Sequence, residues 1–316
     1  MAPSRPRFGS LQFYPRKRAE HLLPSVNWST MENVKLDSEG LMGYITYKAG
    51  MASILVKDDT PNSMTKGKKI IVPATILELP HMKVASVRFY NKGLPVKDVL
   101  VSSDKDLSRV MRVPKAAKTL DSSVPAAYDD IRVIVYSLPR GISLKKTPDV
   151  SEVAINAKDK LSFVKGLIGR ELTSKDFVQT NLVDTRGLTK GKGLEGTIPR
   201  FGISKKSHKA EKGVRRPGSL GPWHPARVTF RTPQAGQLGM FTRVHYNLKL
   251  ILSSSISQKN INIPGGFSQY GNISGEYILV EGSVQGPQKR QILITPSFRP
   301  TKKQKVKKYE FLEVLK

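Results

Sequence analysis

The sequence predicts a mainly β fold with an α/β insertion: a closed or partly closed β-barrel core carrying a long basic loop (a finger) and extended tails at both ends. Three observations predict it. Short runs rich in β-branched and aromatic residues recur on both sides of a segment with helical periodicity. Between residues 186 and 235 that regularity stops, and glycine, proline and basic residues take over. A structureless stretch of that length marks a functional loop or disorder. Strands of this kind also need their edges covered, which barrel closure achieves.

In chain order, the first 20 residues carry Arg5, Arg7, Arg16, Lys17 and Arg18, with Glu20 the single acid. Pro3, Pro6 and Pro15 argue against a helix there, so residues 1–40 read as a basic arm. Leu41 to Met51 reads as strand, turn and return strand, and Gly43 to Leu55 as an antiparallel hairpin. Ile70 to Leu79, Val84 to Tyr90 and Ile131 to Tyr136 are further strands. Asp104 to Met111 reads as a helix with Asp104 as N-cap. Leu161, Val164, Leu167 and Ile168 place a helical stripe in Lys158 to Gly169. Strands resume at Phe177 to Val183 and, beyond the loop, at Arg243 to Leu252, Tyr277 to Val284 and Gln288 to Thr295. The expected organisation is a core of residues 41–91 and 178–298, an inserted lobe of 92–177, a finger of 186–235 within the core, and a tail of 299–316. That tail holds Arg299, Lys302, Lys303, Lys305, Lys307 and Lys308. No internal repeat is found.

Composition selects the partner. Of 316 residues, 53 are Lys or Arg and 25 are Asp or Glu, a formal net charge of +28. A compact body with that charge repels itself and calls for a polyanion. An anionic membrane is the weaker candidate. There is no apolar run of about 18 residues to span a bilayer, and Met1 to Arg18 is not followed by the apolar stretch of a secretory signal. The 38% apolar share is low for a globular chain. With no cysteine, disulfides, thiolate zinc sites and cysteine nucleophiles are excluded; a reducing, intracellular compartment fits.

Catalysis has no constellation to carry it. The histidines are His21, His81, His208, His224 and His245. None forms a His-x-x-x-His pair or joins an acidic cluster of metal-ligand type, and no Gly-x-Ser-x-Gly elbow occurs. Arg186 to Gly193 is basic and glycine-rich but lacks the spacing of a nucleotide P-loop, and no helix is expected after it. The reading is no enzyme, no metal, no cofactor and no small-molecule substrate.

The finger is different. Arg200 to Arg231 holds Arg200, Lys205, Lys206, Lys209, Lys212, Arg215, Arg216, Arg227 and Arg231, against Glu211 alone. It has too little apolar surface to offset its ordering entropy, and phosphates would neutralise and order it. Pro217, Pro222, Pro225 and Pro233 stiffen it, while Gly213, Gly218 and Gly221 allow tight turns. Trp223 lies between Pro222 and Pro225, placed to stack on a base, to wedge between RNA elements, or to anchor the loop onto the core. The candidate RNA contacts are therefore Arg5, Arg7, Arg16, Lys17 and Arg18; Lys190 and Lys192; the finger cations just named; and His208, Trp223 and His224.

Three stretches resemble a known family. They are Gly187-Leu188-Thr189-Lys190-Gly191-Lys192-Gly193-Leu194-Glu195-Gly196; the segment Gly213 to Ala226, with Trp223-His224-Pro225-Ala226 its most specific part; and Gln234-Ala235-Gly236-Gln237-Leu238-Gly239. The chain resembles the universal large-subunit ribosomal protein L-three family in its archaeal and eukaryotic form. The resemblance implies a small barrel like one in translation factors, binding to the 3′ region of large-subunit rRNA early in assembly, and a loop reaching toward the peptidyl transferase centre. It implies that Trp223 lies near the path of incoming aminoacyl-tRNA, that neighbouring ribosomal proteins are partners, and that the protein resides in the cytoplasm, in the ribosome. Eukaryotic members carry a methylated histidine twelve residues before the tip Trp; here that position is Glu211. The longer eukaryotic C-terminal extension is also lacking, and both departures point to an archaeal source. Two readings compete: an RNA-modifying or nucleotide-using enzyme on a factor-like barrel, and a general polyanion- or membrane-surface-binding protein.

Overall fold

The computed structural model describes residues 13–31, 34, 36, 38–116, 119–178 and 180–315. Arg5 and Arg7 lie outside the described residues. In chain order the strands are β1 (Gly40–Leu41), β2 (Tyr44–Asp58), β3 (Lys69–Leu79), β4 (Met82–Asn91), β5 (Leu94–Leu100), β6 (Asp130–Ser137), β7 (Val150–Asn156), β8 (Leu182–Leu188), β9 (Gly193–Glu195), β10 (Gly236–Leu238), β11 (Thr242–Ser255), β12 (Glu276–Glu281), β13 (Gln291–Pro296) and β14 (Tyr309–Leu315). The helices are short: α1 (Trp28–Met31), α2 (Lys160–Leu167), α3 (Thr197–Phe201) and α4 (Lys302–Val306). None among the described residues is long and apolar enough to cross a membrane. The chain divides into two units, a body of 22–187 with 243–315 and a smaller unit of 13–21 with 188–242.

The body holds a seven-stranded sheet in the order β13-β8-β11-β12-β3-β2-β14, with an additional β13–β2 pairing. The sheet curls almost into a ring but is not a closed barrel, which corrects the expectation of a closed or partly closed, translation-factor-like one. The reason lies in β2, whose 15 residues are shared between two partners along one edge. β13 pairs with Tyr44 to Tyr47, and β14 pairs with Ser53 to Asp58. At six residues β13 is too short to seal the length of β2, so the second half of β2 carries β14 instead. Only full closure removes sheet edges, and β14 retains one.

The predicted hairpin over Gly43 to Leu55 is likewise a single strand. The register against β3 shifts between Lys48 and Gly50, and the Phe267 ring lies 3.3 Å from where a Gly50 Cβ would stand. The glycine marks a bulge that bends β2 around that ring instead of turning it back. The expected free C-terminal tail is also corrected. Its second half is β14, and Tyr309, Phe311 and Val314 pack against the cluster of Ile54, Val56, Ile261 and Phe267.

A second, five-stranded sheet runs β1-β7-β6-β4-β5, and every pair in it is antiparallel. One core joins the two sheets: Tyr44, Ile45, Leu77 and Ile292 from the first meet Val84, Val87, Val133 and Val153 from the second. α2 starts where periodicity put it. The Asp159 carboxylate caps it, accepting from the Leu161 and Ser162 amides at 3.1 and 3.3 Å. The helix expected at Asp104 to Met111 shrinks to one tight turn, Leu107–Arg109. Asp104 is unavailable as its cap, because its carboxylate accepts from the Tyr136 hydroxyl and faces Lys83 at 3.6 Å.

Candidate nucleic-acid interface

The smaller unit is built from its root outward. Residues 189–196 and 234–241 lie side by side: Gly236 pairs with Glu195, Gln237 with Leu194 and Leu238 with Gly193. Two further bonds extend this ladder. The Lys192 amide donates to the Leu238 carbonyl at 2.9 Å, and the Thr189 amide to the Phe241 carbonyl at 3.0 Å. Gly239 turns the chain at φ +79°, and a Cβ there would stand 1.9 Å from the Lys190 carbonyl oxygen. Only glycine permits that approach.

Contrary to expectation, a helix does follow the Lys190–Gly193 stretch: α3, five residues long, ended by Gly202 in the left-handed conformation. It presents Arg200, which acts as a clamp. Its guanidinium donates to the carbonyls of Gln237 (3.0 Å), Gln234 (2.8 Å), Ala235 (3.4 Å) and Arg16 (3.3 Å). Arg16 returns a bond to the Arg200 carbonyl at 2.7 Å and lies over the Phe201 ring at 4.3 Å. Burial pulls the Arg200 guanidinium below its ordinary pKa, and Arg16 adds to that. The arm is tied to the root a second time, by the Ala19 amide on the Met240 carbonyl at 2.9 Å. A third contact is the Tyr14 ring set edge-on to Phe230 at 5.6 Å. Replacing Arg200 with lysine keeps the charge but loses the planar fork. We expect it to weaken the root by about 1–2 kcal/mol, read as faster amide exchange at Thr189 and Lys192 with the body unchanged.

Beyond the root the chain has turns but no regular element. The Lys206 amide donates to the Val214 carbonyl at 3.0 Å and closes a loop that holds His208, Lys209 and Lys212. The Thr232 hydroxyl reaches the Leu220 carbonyl at 2.9 Å across the finger. Every residue from 218 to 231 is exposed, and Trp223 is 88% exposed. Trp223, Leu220, Pro222, Ala226 and Val228 border a shallow concavity of about 360 Å³.

The predicted contacts separate into two groups. Arg200 spends its donors on the protein's own carbonyls, and Arg16 gives one to the Arg200 carbonyl. Lys17, Arg18, Lys190, Lys192, Lys205, Lys206, His208, Lys209, Lys212, Arg215, Arg216, Trp223, His224, Arg227 and Arg231 are all exposed, and Arg231 lies 5.9 Å from the Phe230 ring. Among the described residues none of these cations has an ion pair. The body cations contrast: Arg88 meets Asp98 at 2.7 Å and Glu152 at 3.0 Å, Arg132 meets Asp130 at 2.9 Å, and Lys160 meets Asp130. No hydrogen bond joins His208 to His224, and the described residues hold no metal-type cluster of His, Asp and Glu.

The family described as Ribosomal protein L3 matches residues 1–112 and 114–313. The chain belongs to this family. It is 38% identical over 315 residues to the large ribosomal subunit protein uL3 of Methanocaldococcus jannaschii, covering 94% of this chain and 92% of that one. The uL3 protein of Archaeoglobus fulgidus is 38% identical over 314 residues, covering 94% and 93%. That of Pyrobaculum calidifontis is 38% identical over 322 residues, covering 95% and 94%. These relatives are archaeal, in keeping with Glu211 at the position of the eukaryotic histidine. As a member of the Ribosomal protein L3 family, the chain is a structural protein of translation and not an enzyme.

Proposed function

We propose that the protein is a constituent of the large ribosomal subunit that grips its rRNA with the finger and the N-terminal arm. In this reading it binds near the RNA's 3′ region, helps nucleate subunit assembly beside neighbouring ribosomal proteins, and extends the finger toward the peptidyl transferase centre. The observation that carries it is the run of exposed, unpaired cations from Lys205 to Arg227 on a root held by hydrogen bonds. Unpaired cations on a proline-stiffened loop suit phosphate, whose binding releases counterions. Lys190, Lys192, Lys17 and Arg18 flank the root and extend the basic track, and Arg5 and Arg7 are assigned to the same arm. Arg16 and Arg200 supply position. The deciding experiment is a high-salt wash: the chain should stay with large subunits, and release into the soluble fraction at moderate salt would overturn the reading.

Trp223 carries a second, separable expectation. Its ring touches no core, so Trp223→Ala should alter folding stability by less than about 0.5 kcal/mol. Loss of a stacked ring costs about 1–3 kcal/mol, which should appear as slowed aminoacyl-tRNA accommodation in mutant ribosomes. Unchanged peptide-transfer kinetics would remove the ring from the mechanism.

A further inference from the structure

β14 is paired on one side only. Its inner edge runs against β2 from Tyr309↔Asp58 to Leu315↔Ser53, and no strand pairs with its outer edge among the described residues. The edges of the other large sheet are blunted: β1 is two residues long, and β5 carries Pro95, Lys97 and Asp98. β14 is seven residues long and lacks both proline and lysine, and its one irregularity is a bulge at Leu312, where its register against β2 shifts between Phe311 and Glu313.

Beside it lies a concavity of about 390 Å³, whose lining includes Lys259, Ile261, Phe311, Leu312, Glu313 and Val314. Leu312 is 37% exposed, and Lys259 lies over the Phe311 ring at 5.3 Å. The Glu313 carboxylate is exposed and makes no ion pair among the described residues. Glu310 meets Lys57 at 3.3 Å, at the surface. In a chain of net charge +28, the strand itself carries two acids and no cation.

A strand edge offers alternating amides and carbonyls at the spacing of another extended polypeptide. Nucleic acid does not match it: phosphates would face the Glu313 carboxylate, with Glu310 beside it already paired to Lys57. Pairing of β14 with a second copy of itself would bring like charges at Glu310 and Glu313 together, which disfavours that arrangement.

We propose that β14 is a docking edge for an extended, basic segment of a partner protein. The segment adds as the next strand of the seven-stranded sheet, sets an apolar side chain into the concavity beside Phe311 and Ile261, and brings a lysine or arginine to Glu313.

The inference rests on the chain's assembly into ribosomal subunits, and one experiment separates the two. A photoreactive benzophenone side chain is introduced in place of Leu312 in the full-length protein, expressed in cells and fractionated by sedimentation. Where the chain sediments reports on the ribosomal reading. Irradiation of whichever particle carries it reports on the edge. The expected product is an RNase-resistant adduct to another protein, at a peptide containing lysine or arginine. Its yield should fall severalfold when Glu313→Lys is added. An adduct to RNA, an adduct to a second copy, no adduct, or a protein adduct indifferent to Glu313→Lys would each overturn the proposal.

Discussion

Replacing Lys205, Lys206, Lys209, Lys212, Arg215 and Arg216 with glutamine should lower the affinity for large-subunit rRNA by on the order of 10³–10⁵ at about 0.1 M salt. The size follows from counterion release. Each phosphate contact contributes about 0.7–0.9 to the slope of log affinity against log salt, so six lost contacts should flatten that slope by about 4–5. The six side chains are exposed and make no ion pair among the described residues, so the body's stability should move by no more than about 0.5 kcal/mol. A salt series of rRNA titrations with wild-type and substituted protein checks both numbers. An unchanged slope would mean that the finger's charge does not meet phosphate.

Gly239→Ala should damage the same function without touching a charge. The added methyl would sit 1.9 Å from the Lys190 carbonyl oxygen, at a residue with φ +79°. The clash is with backbone, so no side chain can swing away to relieve it. Strain of this kind costs about 1–3 kcal/mol for the dihedral alone, and the overlap adds to it. The cost falls on the ladder of Gly236 to Leu238 against Gly193 to Glu195. Amides at Thr189 and Lys192 should exchange at least tenfold faster, a difference of about 1.4 kcal/mol. Affinity for rRNA should fall although every cation remains, while the body's thermal unfolding stays in place. Wild-type exchange at the root together with wild-type affinity would show that the root does not need this close approach.

These two substitutions also show what the sequence made legible. The finger announced itself by composition, because nine cations and one acid between Arg200 and Arg231 leave little to fold around. Trp223 between prolines marked its tip. The root did not announce itself in the same way. Arg200 looks like any other cation in the chain, and only three-dimensional contact shows that its donors are taken by Gln234, Ala235, Gln237 and Arg16. Charge counting cannot tell a cation offered to a partner from one consumed by the backbone.

Strands were read where apolar runs were dense, as at β3, β4 and β6. β5 was missed because its first five residues are exposed, so nothing repeats at the period of a buried face. β14 is hidden in the sequence because the lysine run before it has the composition of a tail, although Tyr309, Phe311 and Val314 are apolar anchors. The barrel was inferred from strand count and the need to cover edges. Closure depends on how two partners share the length of β2, a long-range pairing that periodicity does not encode.

The ladder at the finger's root has a consequence for the order in which the chain takes shape. Glu195 and Gly236, its first pair, are separated by about forty residues, and closing a loop of that length costs roughly 3 kcal/mol in chain entropy before the constant term. Three residue pairs in one two-stranded ladder do not offset that without the Arg200 clamp, whose acceptors also lie at residues 234–237. During synthesis, β2 and β3 are therefore complete and adjacent while the finger still hangs as an open, cation-rich chain. A nascent protein in that condition meets polyanions before it has a shape to present to them, so the far end of the loop governs when the near end becomes selective.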